Sequence, residues 1–548
     1  MNRDGYEIAP HENKLETYKE NNICLLTIPS QQTLIDFPLI KKFDGRNSPV
    51  EEEDGRINYY PNCDARVWLR SCTHPVEEPI SGIQTGVIPT WLNGSLIRNG
   101  PGRIQVGNDT YNHLFDGSAL LHRFHFKDGE VKYSNKFLKS SSYLRDTEAQ
   151  RIVVNYFGTR AHPDPCKTIL QNIASRFSFE EHFTDNAQIS VYPYGDGLYA
   201  LTETPYIFRI DPDSLETREK IDMTKYLTIF SHTAHPHVDD DGCVYNIGQG
   251  VGLFGPVYHI CKFPANSPFN EAKILGSVKA RWKFNPCYMH SFALTQNYFV
   301  IIEQPLVVST KKVIKGIVCQ ESLIHALEWW NKETQFHVIE RSSGNVHKLR
   351  FETEAFFFLH VINAFVEQDC IVIDICAYKD AKMLHCMFTE ALKDASYDPS
   401  YAKMFRGRPK RWVLPLNPGV MPKKGGNILL PLNSGCVAKW SRDGKVFVEP
   451  EILATIGCEV PRINYENYNG KKYRYFYAIC SDVDHPKPGT GEDDGIVVSS
   501  LLRCKGLDRQ ICLLILDATS FKEMGRVEFE CLGPVPKCLH GWYVPEDR

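Results

Sequence analysis

The texture of this sequence predicts an all-β fold of the propeller kind, and three observations carry the prediction. From about Asn62 onward the chain breaks into short apolar or alternating runs separated by Gly, Asp, Asn and Pro. These are the lengths and punctuation of strands and turns. A hairpin phrase recurs, as Arg209-Ile-Asp-Pro-Asp-Ser-Leu215 and as Leu516-Asp-Ala-Thr-Ser-Phe521, and recurring hairpins are how propeller blades are built. Long helical periodicity is scarce.

Taken in order, residues 1–60 read as a polar extension, acidic and turn-rich from Pro49 to Arg56, and residues 61–548 as the β unit with a cap. Strands are expected at Gly197 to Thr204, Ile207 to Asp213, Gly242 to Gly248, Tyr298 to Glu303, Cys370 to Cys376 and Ile511 to Asp517. Glu321 to Lys332 and Ala381 to Leu392 are the better helix candidates, as insertions over one face. After Pro165, Ile169, Leu170, Ile173 and Phe177 fall on one helical face. That face serves either packing on its own domain or contact with a membrane surface.

Bulk properties narrow the function classes. The 548 residues are 43% hydrophobic and 23% charged, values of a globular protein with ample core. A net charge of −4 gives no basic surface for nucleic acid. The first residues, Met1 to Glu7, hold no apolar signal core, and no run of eighteen apolar residues occurs. The 18 cysteines lack framework spacing and contain no Cys-x2-Cys pair, which favours reduced thiols in the cytoplasm and no cysteine-type zinc site.

Four histidines carry the chemistry: His235, His290, His360 and His540. The last three stand in apolar stretches, where an unpartnered imidazole is costly. Pro236, Ser291 and Gly541 follow three of the four. Local spacing does not connect them, but the innermost strands of a propeller all face one axis, so ligands distant in sequence can meet there. Four neutral imidazoles suit a divalent transition metal; zinc would accept them, and iron is preferred where positions must stay open for oxygen. Carboxylates are expected behind the rings, fixing their tautomers. Glu203 and Glu459 sit beside apolar residues and are the candidates, although a glutamate at a strand end facing solvent reads the same way. His232 and His237 flank His235 closely and are assigned structural or supporting roles.

The ordered set of motifs resembles the carotenoid cleavage oxygenase family. It comprises Pro89-Thr-Trp-Leu-Asn-Gly-Ser-Leu-Ile-Arg-Asn-Gly-Pro-Gly102, Phe115-Asp-Gly-Ser-Ala-Leu-Leu-His-Arg-Phe124, Pro163-Asp-Pro-Cys-Lys167, Thr233-Ala-His-Pro-His237, His290-Ser-Phe-Ala-Leu-Thr295, Glu492-Asp-Asp-Gly495 and Leu539-His-Gly541. The matching stretches cover roughly residues 60 to 548. The segment from Tyr59 to Cys72 and the long leader before it most resemble the insect isomerooxygenase branch. The resemblance implies a seven-bladed β-propeller with a helical cap, and Fe(2+) held by His235, His290, His360 and His540, with Glu203 and Glu459 behind them. It implies a dioxygenase that uses dioxygen to split carotenoids such as β-carotene or zeaxanthin at the central 15,15' double bond. Coupled trans-to-cis isomerisation would give 11-cis and all-trans retinal-type aldehydes for retinoid metabolism and vision. The apolar face after Pro165 would then be a peripheral membrane contact through which carotenoid enters. Phe115, Trp329 and Trp330 are possible walls for the polyene.

One stretch departs from the family. Between Ile479 and Glu492 the family carries several dozen residues, including a third supporting glutamate in a Pro-Ser-Glu-Pro context. Here only Cys480 to Gly491 stands, a turn-like linker. Part of one blade is expected to be missing near 480–492. Three alternatives follow: a catalytically impaired pigment- or retinoid-binding paralogue, an oxygenase of eccentric cleavage, and a retinoid isomerase-hydrolase.

Overall fold

The computed structural model describes residues 23–27 (backbone only), 49–61, 64–168, 184–319, 321–404, 406–418, 426–429, 434–480, 495–503 and 506–546. The fold is mostly β, as expected. Among the described residues seven sheets have three or more strands. Their pairings are antiparallel except where Phe351–Thr353 runs parallel to Val446–Glu449. All six predicted strand stretches contain strands, at Gly197–Leu201, Tyr206–Ile210, Val244–Gly252, Tyr298–Glu303, Cys370–Tyr378 and Gln510–Asp517.

The recurring hairpin phrase has one geometry in both places. Asp211 and Asp517 open their turns, and each donates its backbone N–H across the hairpin, to Glu216 O and Lys522 O. Their carboxylates accept backbone N–H groups inside the loop, from Ser214 and Ser520. This is the local bonding for which Asp is favoured in turns. Leu215 and Phe521 close the loops with φ of 59° and 55°, a left-handed conformation uncommon for such residues. Burial of Leu215 among apolar neighbours helps to hold it there.

Distant parts of the chain close the first sheet. The C-terminal strand His540–Pro545 pairs with Gly94–Arg103, which pairs in turn with Ser118–Lys127. His540 lies opposite Asn99. The buried Asn99 amide donates to Ala187 O at 2.7 Å and to Ser190 O at 3.2 Å, tying this sheet to the next. The position of His540 is therefore set by the first sheet, although its residue follows the shortened stretch in sequence.

The helix expectations need correction. Glu321 to Lys332 is not a helix: Leu323–Ala326 is a single 3-10 turn, and Leu327–Trp329 is a strand paired with Leu306–Val308. Tertiary pairing overrides local preference here, as it does readily for a stretch containing Trp329 and Trp330. The helix lies upstream at Thr310–Cys319, where Gly316 lowers intrinsic propensity. Ala381 to Leu392 splits into two short helices, Met383–Cys386 and Thr389–Lys393. The apolar face at residues 169–177 and the shortened segment at 481–494 lie outside the described residues.

From the extension, Ile23–Thr27 pairs with Tyr475–Cys480, whose other edge bonds to Cys458–Arg462. The hairpin of Val50–Glu51 with Ile57–Asn58 is anchored where Tyr397 donates its hydroxyl to Glu52 at 2.6 Å.

Candidate metal centre

Each candidate histidine is held by a different local device. His235 sits in a loop whose two flanks, Ser231–His232 and His237–Val238, both pair with Val244–Gly252. Ser190 donates to Ala234 O at 2.5 Å and Thr233 donates to Asn246 Oδ1 at 2.6 Å, pinning that loop from both sides. The stretches carrying His290 and His360 are fastened to each other. Buried Gln304 donates to Tyr288 O and Phe358 O and accepts the Phe358 N–H, while Ser291 donates to Leu359 O at 2.5 Å. His360 lies where the register of Phe357–Glu367 shifts between Phe358 and Val361, a local disruption of the kind that re-aims a side chain beside a functional site.

These devices bring all four imidazoles together. Ring centroids lie 4.5 Å apart for His235 and His290, 4.5 Å for His235 and His540, 5.0 Å for His290 and His360, and 4.9 Å for His360 and His540. His235, His290 and His360 place one nitrogen each within 4.8 Å of one another. His540 joins this group by its ring without meeting that tighter spacing.

Glu203 and Glu459 each lie against one of the rings. His290 Nδ1 bonds to Glu203 Oε1 and His360 Nδ1 to Glu459 Oε2, each at 2.5 Å. A carboxylate accepting at Nδ1 fixes the proton there and leaves Nε2 as a bare lone pair. The two Nε2 atoms are then 3.3 Å apart, two acceptors facing each other with no proton to share. A cation relieves that repulsion. Ligands at ~2.1 Å from one ion and about 90° apart are separated by about 3 Å, so the pair fits two adjacent positions on a transition metal. His235 Nε2 is buried with no hydrogen-bond partner among the described residues, the expected state of a third donor.

Electrostatics support the neutral, ligating form. Burial, followed by the neighbouring rings of His290, His540 and His360, holds the His235 imidazolium well below its ordinary range. Burial and the His360 ring do the same for His540. For His360 burial again lowers it, partly opposed by the Glu459 carboxylate.

Two supporting residues escaped the sequence reading. The Tyr288 hydroxyl lies 3.1 Å and 2.9 Å from the two oxygens of Glu203 and 3.1 Å from His290 Nδ1, so it holds the carboxylate against the ring. The signal was present, since positions two apart in an extended stretch share a face. Val460 has φ of 53°, a genuine outlier for a β-branched residue. Its N–H donates to Glu459 Oε2 at 2.8 Å, turning that carboxylate toward His360. No sequence pattern announces this strain.

His232 and His237 stay outside the cluster, in supporting roles as expected. His232 Nδ1 bonds to Thr233 O, and His237 reaches Tyr465 OH and Phe292 O. Beside the cluster lies an open cavity of about 210 Å³; Leu114, Phe115, Phe157, Ile317, Leu359 and Met383 are among its walls. Phe115 is thus a wall residue. Trp329 and Trp330 do not line it; Trp330 packs edge-on against Trp282.

Fold and site together define a mostly β protein with a buried, carboxylate-backed histidine centre beside a mainly apolar cavity. The comparisons assign it further. The retinal pigment epithelial membrane protein family model matches residues 69–487 and 483–545. The carotenoid isomerooxygenase of Galleria mellonella is 43% identical over 530 residues, covering 89% of this chain and 98% of that protein. The carotenoid isomerooxygenase of Drosophila melanogaster is 39% identical over 608 aligned positions, covering 93% and 98%. Mouse beta,beta-carotene 15,15'-dioxygenase is 35% identical, covering 86% and 90%. Among solved structures, a variant of the Synechocystis apocarotenoid oxygenase shares the fold, with a TM-score of 0.68 at 19% identity over 88% of this chain and 98% of that one. A cobalt-substituted form of that oxygenase has a TM-score of 0.66 at 20% identity with the same coverage. The chain belongs to the carotenoid oxygenase family and is an enzyme.

Proposed function

We propose that this enzyme is an iron(II)-dependent dioxygenase that splits a carotenoid at its central 15,15' double bond. Isomerisation of one half would give one 11-cis and one all-trans retinal-type aldehyde. The observation that carries the reading is the pair of carboxylate-anchored histidines whose bare nitrogens converge beside the cavity. The named activities of the insect and mouse relatives support the substrate class. On this reading the seven larger sheets are the seven blades of a propeller, and His235, His290, His360 and His540 are the metal ligands, with Glu203 and Glu459 behind them.

Bound iron would supply the activation of dioxygen; the chain's residues do the rest. Glu203 and Glu459 hold the Nδ1 protons, and Tyr288 fixes Glu203. The cavity walls align the polyene and keep water from it. In the net reaction one carbon–carbon double bond is broken and each new carbonyl receives one oxygen atom of dioxygen, so no external reductant is consumed.

Membrane delivery suits so insoluble a substrate. Leu253 (92% exposed) and Phe254 form a bare hairpin tip, and Phe284, Ile314 and Val318 are also exposed. Lys279 lies 4.6 Å above the Phe254 ring and Lys283 lies 5.5 Å above that of Phe284. Phe284 O accepts from the N–H of Thr310, the first residue of the helix whose Val313 and Ile317 line the cavity. An apolar patch set among lysines beside a cavity fits an anionic lipid surface, and the enzyme would then be cytoplasmic and peripherally bound. No described helix is long and apolar enough to cross a membrane. Leu253→Asp with Phe254→Asp should reduce co-sedimentation with anionic vesicles; unchanged binding would refute this contact.

A second reading, pigment binding without turnover, is favoured by one observation. The family match breaks into two pieces that meet at 483–487, inside the shortened stretch expected to lack a supporting glutamate. Incubation of the iron-loaded protein with β-carotene or zeaxanthin separates the cases. C20 aldehydes, part of them 11-cis, are expected. Tight pigment binding without aldehydes would support the carrier, and longer apocarotenoids eccentric cleavage.

A further inference from the structure

A lysine with no carboxylate partner among the described residues borders the cavity. Lys537 lines the cavity, three residues upstream of His540, which lines it too. Its Nζ stands 3.4 Å from the centroid of the Trp68 ring, and no carboxylate pairs with it among the described residues. The other lysine of the wall, Lys312, is ordinary by comparison: Glu328 holds it at 3.0 Å, near the surface.

We propose that Lys537 forms an imine with a polyene aldehyde in the cavity, holding the carbonyl end of one product beside the histidine cluster. The proposal rests on the carotenoid-cleavage reading for the source of that aldehyde. Three features of the place support it. Lys537 and His540 both line the cavity, and an extended chain between them spans at most about 10 Å from Cα to Cα. The face of Trp68 attracts an ammonium and would equally attract a protonated imine. Burial, which outweighs the opposing effect of Cys538, pushes the ammonium down to about 8, with Arg98 adding to the fall. About a tenth of the lysine is then neutral and nucleophilic at pH 7.

The step balances without a further reactant. The neutral amine nitrogen attacks the carbonyl carbon. A carbon–nitrogen double bond replaces the carbon–oxygen double bond, and the oxygen leaves as water with both amine protons. The reverse step, addition of water, releases the aldehyde. Because the surroundings are mostly apolar, the imine persists until water enters, so one product can be retained and its geometry preserved.

The test adds all-trans-retinal directly to the full-length protein as purified, which bypasses cleavage. Borohydride reduction is followed by peptide mass spectrometry. Most of the label is expected on the peptide containing Lys537, together with a red shift of retinal absorbance on mild acidification. Lys537→Arg keeps a cation over Trp68 but forms no imine, and should carry about tenfold less label at unchanged thermal midpoint. Label spread over surface lysines, or unchanged in Lys537→Arg, would overturn the proposal. A Lys537 adduct in a protein that fails to cleave carotenoid would uphold it and sink only the cleavage reading.

Discussion

His290 and His360 present their Nε2 atoms to each other at 3.3 Å while each gives its Nδ1 proton to a glutamate. Neither nitrogen has a proton for the other, so the pair is stable as a cation site and strained without one. Removing the His360 ring takes that partner from the buried Glu459 carboxylate. His360→Ala should abolish retention of iron through gel filtration, read by metal analysis; full retention would remove His360 from the ligand set. Glu459→Gln keeps the shape but loses the charge, and should weaken iron affinity roughly 10- to 100-fold.

Tyr288 acts one bond further out. Its hydroxyl touches both Glu203 oxygens, and burial, with the Glu203 charge next, pushes that phenol well above its ordinary range, keeping it a donor. Tyr288→Phe should reduce iron affinity less than Glu203→Gln does. Equal losses in a metal titration would show that Tyr288 does more than orient the carboxylate.

Acid should destabilise the metal-free protein. Burial pushes His113 down to about 4 and His122 to about 3, whereas unfolded histidine titrates near 6.5. Between those values the unfolded chain binds more protons, so stability falls as pH drops, at ~1.4 kcal/mol per pH unit for each group. Asp116, which burial pushes up to about 7, works in the opposite direction between about 4 and 7. Burial raises Asp146 as well, but it also pushes His237 down to about 4 and lowers His235, His360 and His540, so the histidines outnumber the carboxyls. The urea midpoint of metal-free protein should therefore fall between pH 7 and pH 5; a rise would show that these histidines are not buried neutral.

The strand Ile23–Thr27 covers one edge of Tyr475–Cys480. An uncovered edge is a template for pairing with other chains. Deleting residues 1–30 should speed hydrogen exchange across 475–479 and increase aggregation on warming. Exchange identical to that of the full chain would mean that the edge is protected by something else.

Much of this architecture was legible in the sequence. The alternation of short runs and the Asp-led hairpins marked strands because side-chain period and turn chemistry act over two to five residues. Of the candidate ligands, His235, His290 and His540 stand in the ordered motifs, whereas His360, Glu203 and Glu459 were singled out by their apolar settings. Helix placement was less so: Leu327–Trp329 became a strand only because Leu306–Val308 lies alongside it.

The sequence by itself determined a mostly β enzyme with imidazoles and two candidate carboxylates in apolar settings. Tertiary structure alone decided that Gln304 fastens two histidine stretches together, that Asn99 and the closure of the first sheet deliver His540, and that Val460 is strained to turn Glu459. It also decided that Lys537, which borders the cavity, lies over the Trp68 ring. The reason is physical. Periodicity and turn preference are local, whereas a metal site and a cavity consist of distances between residues tens to hundreds of positions apart, fixed by hydrogen bonds that form only once the sheets have packed.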